Sequence, residues 1–458
     1  MHIVILGAGQ VGGTLAQNLA SENNDITLVD LNEPRLRELQ HRLDIQTVHG
    51  NASYPAVLIT AGIEQADMLI AVTDSDEINM MGCQIAYSLF RTPMKIARIR
   101  SQHYYNYPQL FQNDHVPVDV CISPEKLVTD HIEHLIDFPG AAQVLDFADG
   151  KVLIVTIKPL PGGVMVGKTV KSLREHLNHI EFRIMAIFRD NLTIEPTDNG
   201  EIYVNDLVLL VATPEAIQEV LIALGRFPHP NRRIIIAGGG HIGAALAQSL
   251  EQKYRIKVID RSLKRAHELA TQLHKGTVLQ GDIADKDLLL NENIEFTDVF
   301  CAVTNDDEAN IMSCLQAKRL GARHVMALVN RNAYVDLIED STIDQAISPQ
   351  LITIGFILTK LRGGNMVKIH RLLHAEAEAI ELITHGDEET SQVVGRQLSE
   401  LELPPGCSIA AIVRDNKVTI ATPELVLASG DHVVLLLLQR RYVRHVESLF
   451  QVKLTFMG

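Results

Sequence analysis

The sequence contains no tryptophan and its aromatic share is only 5%, so a large core has to be built from aliphatic side chains. With 46% hydrophobic and 21% charged residues, this composition disfavours a disordered or disulfide-stapled chain and favours an aliphatic-cored α/β protein. Cysteine is sparse: Cys83, Cys121, Cys301, Cys314 and Cys407 never fall at CxxC spacing. That argues against a structural zinc site and fits reduced, buried thiols in a cytosolic protein. Basic residues are outnumbered, 41 Lys and Arg against 56 Asp and Glu, and no long basic cluster breaks the formal charge of −15. Such a surface repels nucleic acid and anionic lipid. Without a helix-turn-helix pattern, a DNA-binding repressor is disfavoured as well. Long apolar runs are also missing: Val433–Leu438 is far short of the ~20 residues that cross a bilayer. The opening MHIVILGAG is too short an apolar stretch for a signal peptide and reads as a core strand. Any membrane contact is therefore expected to come through a partner.

What is present is the same unit twice. IVILGAGQVGGTLAQNLA from Ile3 is matched by IIIAGGGHIGAALAQSL from Ile234. An offset of 231 links Gly7, Gly50, Thr73 and Cys83 with Gly238, Gly281, Thr304 and Cys314. Further on, FRDNLTIEP from Phe188 is echoed by VRDNKVTIATP from Val413, and NDLVLLVA from Asn205 by GDHVVLLLL from Gly430, at an offset of 225. In each larger lobe, short Val/Ile/Leu runs (2–6, 26–29, 68–72, 95–99) alternate with helical stretches beginning at Gln10, Glu33 and Asp76. Strands apolar throughout imply a parallel sheet covered on both faces. The fold expected is α/β: two tandem Rossmann-like, doubly wound parallel sheets, each followed by a small β-rich α+β lobe. The boundaries expected are 1–138 and 139–225 for the first pair, a Pro-containing linker at 226–232, then 233–368 and 369–458.

Gly7, Ala8, Gly9, Gln10, Val11 and Gly12 form a GxGxxG that follows a strand and opens a helix. The first glycine permits the turn, the second lets a pyrophosphate approach and the third allows close helix packing, while the helix amides face the phosphates. Asp30 ends the second strand, where a carboxylate accepts from ribose hydroxyls and repels a 2′-phosphate, favouring NAD(H) or an adenine nucleotide over NADP. The second copy presents Gly238, Gly240, His241, Ile242 and Gly243 with Asp260. Other strand ends at the same edge contribute Asn51, Ala52, Thr73 and Asp74, and in the second copy Asp282 and Thr304. TDSDEIN and TNDDEAN also read as helix starts, where acids complement the helix dipole, so capping alone explains them equally well. Arg98 and Arg100 stand where side chains reach phosphates, or where an exposed ion pair would form. Their counterparts are Leu328 and Asn330, with Arg331 one position away, so the two sites are not chemically equivalent.

A nicotinamide dehydrogenase is the enzyme alternative, and it requires an acid or base at the hydride-transfer position. The sequence has no YxxxK pair and no HExxH, and its histidines, among them His131, His134, His176 and His179, are dispersed. No catalytic and no metal-binding residues are assigned.

The order and duplication of GAGQVG with Asp30, TDSDEIN with Arg98, GGGHIG with Asp260, and NDLVLLV with GDHVVLLL resemble the tandem RCK family, the regulators of potassium conductance that serve Trk-type potassium uptake. The resemblance covers essentially the whole chain. It implies a homotetrameric ring on the cytoplasmic face of the cell membrane, docked on a TrkH-type potassium-translocating protein. NAD(H), or ATP/ADP at the same sites, would alter ring shape and gating. By motif match the family's nucleotide contacts fall on Gly7 to Gly12, Asp30, Thr73, Asp74 and Arg98, and on Gly240, Gly243 and Asp260. Asn51 stands where many family members carry aspartate after glycine, so contacts to adenine there differ.

Overall fold

A computed structural model of the chain describes all residues except 21–23, 139, 160, 191, 226–232, 340, 362–365, 373–376 and 453–458. The expected linker at 226–232 lies outside the described residues.

The first sheet contains β1 (His2–Leu6), β2 (Asp25–Asp30), β3 (Gln46–His49), β4 (Met68–Ala71), β5 (Met94–Arg98) and β6 (Val120–Ile122). Every pairing is parallel, and the spatial order is β3-β2-β1-β4-β5-β6. Val4, Ile5, Leu6, Leu69, Ile70 and Ala71 are fully buried, as strands covered on both faces by helices must be. The chain reverses direction of winding between β1 and β4, and the crevice at their carboxyl ends is where such sheets take ligands.

A small antiparallel sheet follows, with β7 (Ala141–Phe147), β8 (Val152–Ile157), β9 (Phe182–Arg189), β10 (Leu192–Ile194) and β11 (Leu207–Ala212) in the order β10-β9-β11-β8-β7. The second copy repeats both sheets. β12 (Arg233–Ala237), β13 (Arg255–Asp260), β14 (Thr277–Gln280), β15 (Val299–Ala302), β16 (His324–Leu328) and β17 (Gln345–Ile347) are ordered β14-β13-β12-β15-β16-β17. β18 (Met366–Arg371), β19 (Glu378–Ile383), β20 (Cys407–Arg414), β21 (Lys417–Ile420) and β22 (His432–Leu437) are ordered β18-β19-β22-β20-β21. The fold is thus two parallel doubly wound sheets, each followed by a small antiparallel one.

The second RDN triplet turns a hairpin. Arg414 pairs with Lys417 across Asp415 and Asn416, both at positive φ (48° and 66°), the conformation a two-residue turn between twisted strands demands. Asp190 holds the same conformation after β9.

By packing, one compact unit gathers residues 1–130, 329–332 and 347–354, and the other gathers the rest. Within the second unit the two small sheets share one apolar core, with Phe147, Ile154, Phe188 and Leu209 of the first against Ala379, Ala411, Val434 and Leu436 of the second. Polar bonds frame it: Arg183 Nη1 donates to the carbonyls of Ile409 and Ala421, and the Ala148 amide donates to the buried Glu381 carboxylate at 2.9 Å.

Candidate functional site

Gly7 leaves β1 with φ +104°, and a Cβ there would stand 3.0 Å from backbone atoms of Thr73 at the end of β4. Gly12 is constrained harder, since its Cβ would lie 1.8 Å from the Gly7 carbonyl oxygen. The helix Gln10–Ala20 is thereby drawn tight against its own entry turn. At Gly9 a Cβ meets nothing within 4 Å, so this side of the loop opens on free space. The second copy repeats each feature: Gly238 at φ +111°, Gly243 at 1.9 Å from the Gly238 carbonyl, and open space at Gly240.

Asp30 and Asp260 do more than end their strands. Asp30 Oδ2 accepts from the Ala8 amide at 2.6 Å, and Oδ1 accepts from Asn32. Asp260 binds the Gly239 and Ser262 amides in the same way, both at 2.7 Å. The opposite end of that loop peptide is held by an arginine, because Arg35 Nε donates to the Ala8 carbonyl at 3.4 Å and Arg265 Nε to the Gly239 carbonyl at 2.7 Å. Neither arginine was singled out in the sequence, although their spacing of 230 residues follows the repeat. On the helix side, Gln350 donates to the Gln10 carbonyl at 3.0 Å and to Thr14 Oγ1.

Beside the loop, Thr73 and Thr304 are fixed by two fully buried asparagines that the sequence displayed without revealing their role. Asn79 Oδ1 accepts from the Thr73 amide and hydroxyl (2.9 and 2.7 Å), while its Nδ2 donates to the carbonyls of Thr73 and Arg98. Asn310 does the same for Thr304 and Leu328. The shared pattern equates Arg98 with Leu328. Helix capping is the work of Ser75 and Asp306, whose side chains accept from Ile78 and Ala309. Asp76 accepts from the Arg100 and Ser101 amides, Asp74 is exposed, and the side-chain oxygens of Asn51 and Asp282 close turns on Ser53 and Ala284. Ala52 is buried.

The two arginines after the fifth strand part company. Arg100 is half-exposed, 3.8 Å from Glu125. Arg98 is only 8% exposed and donates through Nη2 to the Thr73 carbonyl, in no ion pair among the described residues. Burial, then neighbouring Arg100, lowers its pKa to about 10, so it remains a cation at neutral pH. Leu328, in its place in the second copy, is buried and apolar.

The cysteine thiols are all free, and burial pushes Cys121, Cys301 and Cys407 up to about 12, which keeps them protonated. Among the described residues, no cluster of His, Cys, Asp and Glu is arranged to hold a metal ion, and no helix is long and apolar enough to cross a membrane.

Two Rossmann lobes with glycine loops, strand-end acids and paired small β-lobes define the class of tandem RCK proteins. The solved GsuK RCK domain shares the fold at a TM-score of 0.61 and 20% identity, covering 98% of this chain and 94% of that one. The GsuK channel bound to NAD superposes at 0.59 with 20% identity, covering 98% and 79%. The TrkA-N domain model matches residues 3–124 and 234–349, and the TrkA-C domain model residues 153–225 and 388–450. The Trk system potassium uptake proteins TrkA of Halomonas elongata and Vibrio alginolyticus are each 51% identical, covering 100% of both chains in the first case and 98% and 99% in the second. That of Haemophilus influenzae is 46% identical over the full length of both. The chain belongs to the TrkA family of Trk system potassium uptake proteins.

Proposed function

We propose that this chain is a nucleotide-sensing regulatory subunit that gates a TrkH-type potassium-translocating membrane protein from the cytoplasmic side, and that it binds its nucleotide without turning it over. Arg98 carries the reading: a buried guanidinium with one donor on the Thr73 carbonyl and in no ion pair among the described residues, set beside a glycine turn whose open side faces free space. A buried cation calls for an anion, and the phosphates of NAD(H), ATP or ADP supply it. Asp30 selects ribose, and the NAD bound by the GsuK channel is a ligand of the same class. In the second copy Gly238, Gly240, Gly243 and Asp260 keep the loop, while Leu328 removes the cation, so phosphates are held more weakly there.

The acids at the crevice favour binding over catalysis, since Asp30, Asp76 and Asp260 are occupied with backbone amides. A ribose hydroxyl competes with the Ala8 amide for Asp30 Oδ2, so the filled and empty loops differ in structure. In a homotetrameric ring that difference biases a pore the ligand never touches, typically by ~1 to 3 kcal/mol. The lobes of this reading are 1–138, 139–225, 233–368 and 369–458.

Isothermal titration with NADH, NAD, ATP and ADP, each beside an assay for ligand turnover, tests it. Tight binding with no turnover supports the sensor; turnover favours a dehydrogenase, and no binding removes the site.

A further inference from the structure

The glycine loops occupy the carboxyl edge of each parallel sheet. The opposite edge of the third sheet, where β12, β13 and β14 begin, carries an open cleft of about 760 Å³. Arg233, Lys253, Arg255, Lys257 and Lys275 line it, against two acids, Glu251 and Glu292. Five cations against two acids make this edge basic in a chain whose formal charge is −15.

Both acids are already engaged. Glu251 is buried and accepts from the amides of His274, Lys275 and Gly276, and Glu292 pairs with Lys257 at 2.6 Å. Lys253 lies 3.4 Å from Asp137. Three cations remain. The Lys275 ammonium donates to the neutral Gln252 at 2.7 Å, Arg233 stands over the Phe296 ring at 5.9 Å, and Arg255 is exposed. None of these three is in an ion pair among the described residues. Buried Ile234, Ile235 and Ile256 form an apolar floor, beside which charge-assisted hydrogen bonds gain strength.

The repeat supplies an internal control. Strand register equates Arg233 with His2 and Arg255 with Asp25, because His2 pairs with Asp25 as Arg233 pairs with Arg255. Likewise Lys257 matches Thr27, and their strand partners Thr277 and Gln46 match in turn, which makes Lys275 the counterpart of Asp44. One half thus keeps cations at two positions where the other has aspartate, although both repeat the same glycine turn.

We propose that this edge of the second Rossmann lobe is a binding site for a small polyphosphorylated anion, separate from both glycine loops. Arg233 and Arg255 offer planar forks to phosphate oxygens and Lys275 a point charge, a combination suited to two or more adjacent phosphates.

The test is isothermal titration of the full chain with sodium tripolyphosphate, with Arg255→Asp/Lys275→Asp as the variant. Those aspartates are the residues the first copy carries at the same register, and Arg255→Gln/Lys275→Gln serves if the charge reversal lowers the melting temperature. The expected result is binding at one site per chain, weakened at least tenfold in the variant, while NADH affinity is unchanged. Equal tripolyphosphate affinity in both proteins, or none in either, overturns the proposal. Sedimentation with phosphatidylglycerol/phosphatidylcholine vesicles separates the other source of phosphate: retention lost in the variant, without tripolyphosphate binding to the parent, assigns the cations to lipid headgroups and also overturns it.

Discussion

Arg189 and Asp206 form a two-pronged ion pair in the first small lobe, Nε to Oδ1 at 2.7 Å and Nη2 to Oδ2 at 2.8 Å. Arg414 and Asp431 repeat it 225 residues later, at 2.7 Å for both prongs. Each aspartate is fully buried and takes one more bond from a backbone amide, Tyr203 or Ala428. Each arginine also donates to a strand-like carbonyl, Glu201 or Val426. The echoed RDN and D-hydrophobic motifs are therefore two ends of one structural staple.

Removing one partner strands the other. Asp206→Ala is expected to destabilise the small lobe by about 3 kcal/mol, because a guanidinium and an amide lose their acceptor at once. Urea unfolding followed by circular dichroism measures it, and an unchanged midpoint would show the staple to be dispensable. Asp431→Ala should cost a similar amount.

A second pair shows how the two halves solved one problem differently. Lys95, 2% exposed, reaches Asp119 at 2.8 Å, whereas Lys318 reaches Asp344 at 2.7 Å. Both aspartates accept from the amide at an equivalent strand position, Lys95 or Val325. The lysine comes from β5 in one half and, in the other, from the helix Asp307–Arg319, at the place where the first half has Tyr87. Lys95→Val alone should destabilise by about 2 to 3 kcal/mol, and Tyr87→Lys/Lys95→Val should recover at least half. Additive losses in the double variant would rule out the exchange.

At the nucleotide site, Arg98→Ala is expected to weaken ATP and ADP binding by roughly 10- to 100-fold, the equivalent of one charge-assisted hydrogen bond of ~1.5 to 3 kcal/mol. Asp30→Ala should weaken every ligand that carries a ribose. Titration decides, and unchanged affinity in both variants would dismiss the first site. In the second copy, Gly240→Val should matter only where that loop is filled.

How much of this was legible beforehand depends on the kind of residue. Gly7, Gly12 and Asp30 could be read because steric rules tie glycine to the turn and acid to the strand end, and strands such as IVIL announce burial. Asn79, Asn310, Arg35 and Arg265 escaped, since an asparagine that braces two strand ends looks in sequence like any polar residue near a helix start. Their one signal was recurrence at the offset of the repeat. The burial of Arg98 was equally invisible, because it depends on what surrounds its guanidinium across β4 and β5. The basic edge of the second Rossmann lobe escaped for a related reason: its cations come from two strands and two turns, and no linear cluster marks them.

Two buried histidines make the stability of the fold depend on pH. His131, on the helix Pro124–Asp137, and His370, on β18, are both pushed down to about 4 by burial, reinforced by the nearby charges of His134 and Lys368 respectively. The groups around them are His134, Asp146 and Lys368, with His370 edge-on to Phe147 at 5.1 Å and hydrogen-bonded to the Asp146 carbonyl at 3.2 Å. Burial would raise the pKa of Asp146, but its ion pair with Lys368 outweighs this and holds it below the usual value, so it stays ionised while the histidines titrate. An unfolded histidine binds its proton near pH 6.5, whereas these two stay neutral in the fold until about pH 4. Between those limits the unfolded chain holds more protons, so the histidine contribution is complete above pH 6.5 and is lost as pH falls toward 4. His131→Leu, which cannot take up a proton, should melt near the parent at pH 7.5 but about 2 °C above it at pH 5. Scanning calorimetry across that range checks the sign, and parallel melting curves at every pH would mean that His131 is protonated as easily in the folded chain as in the unfolded one.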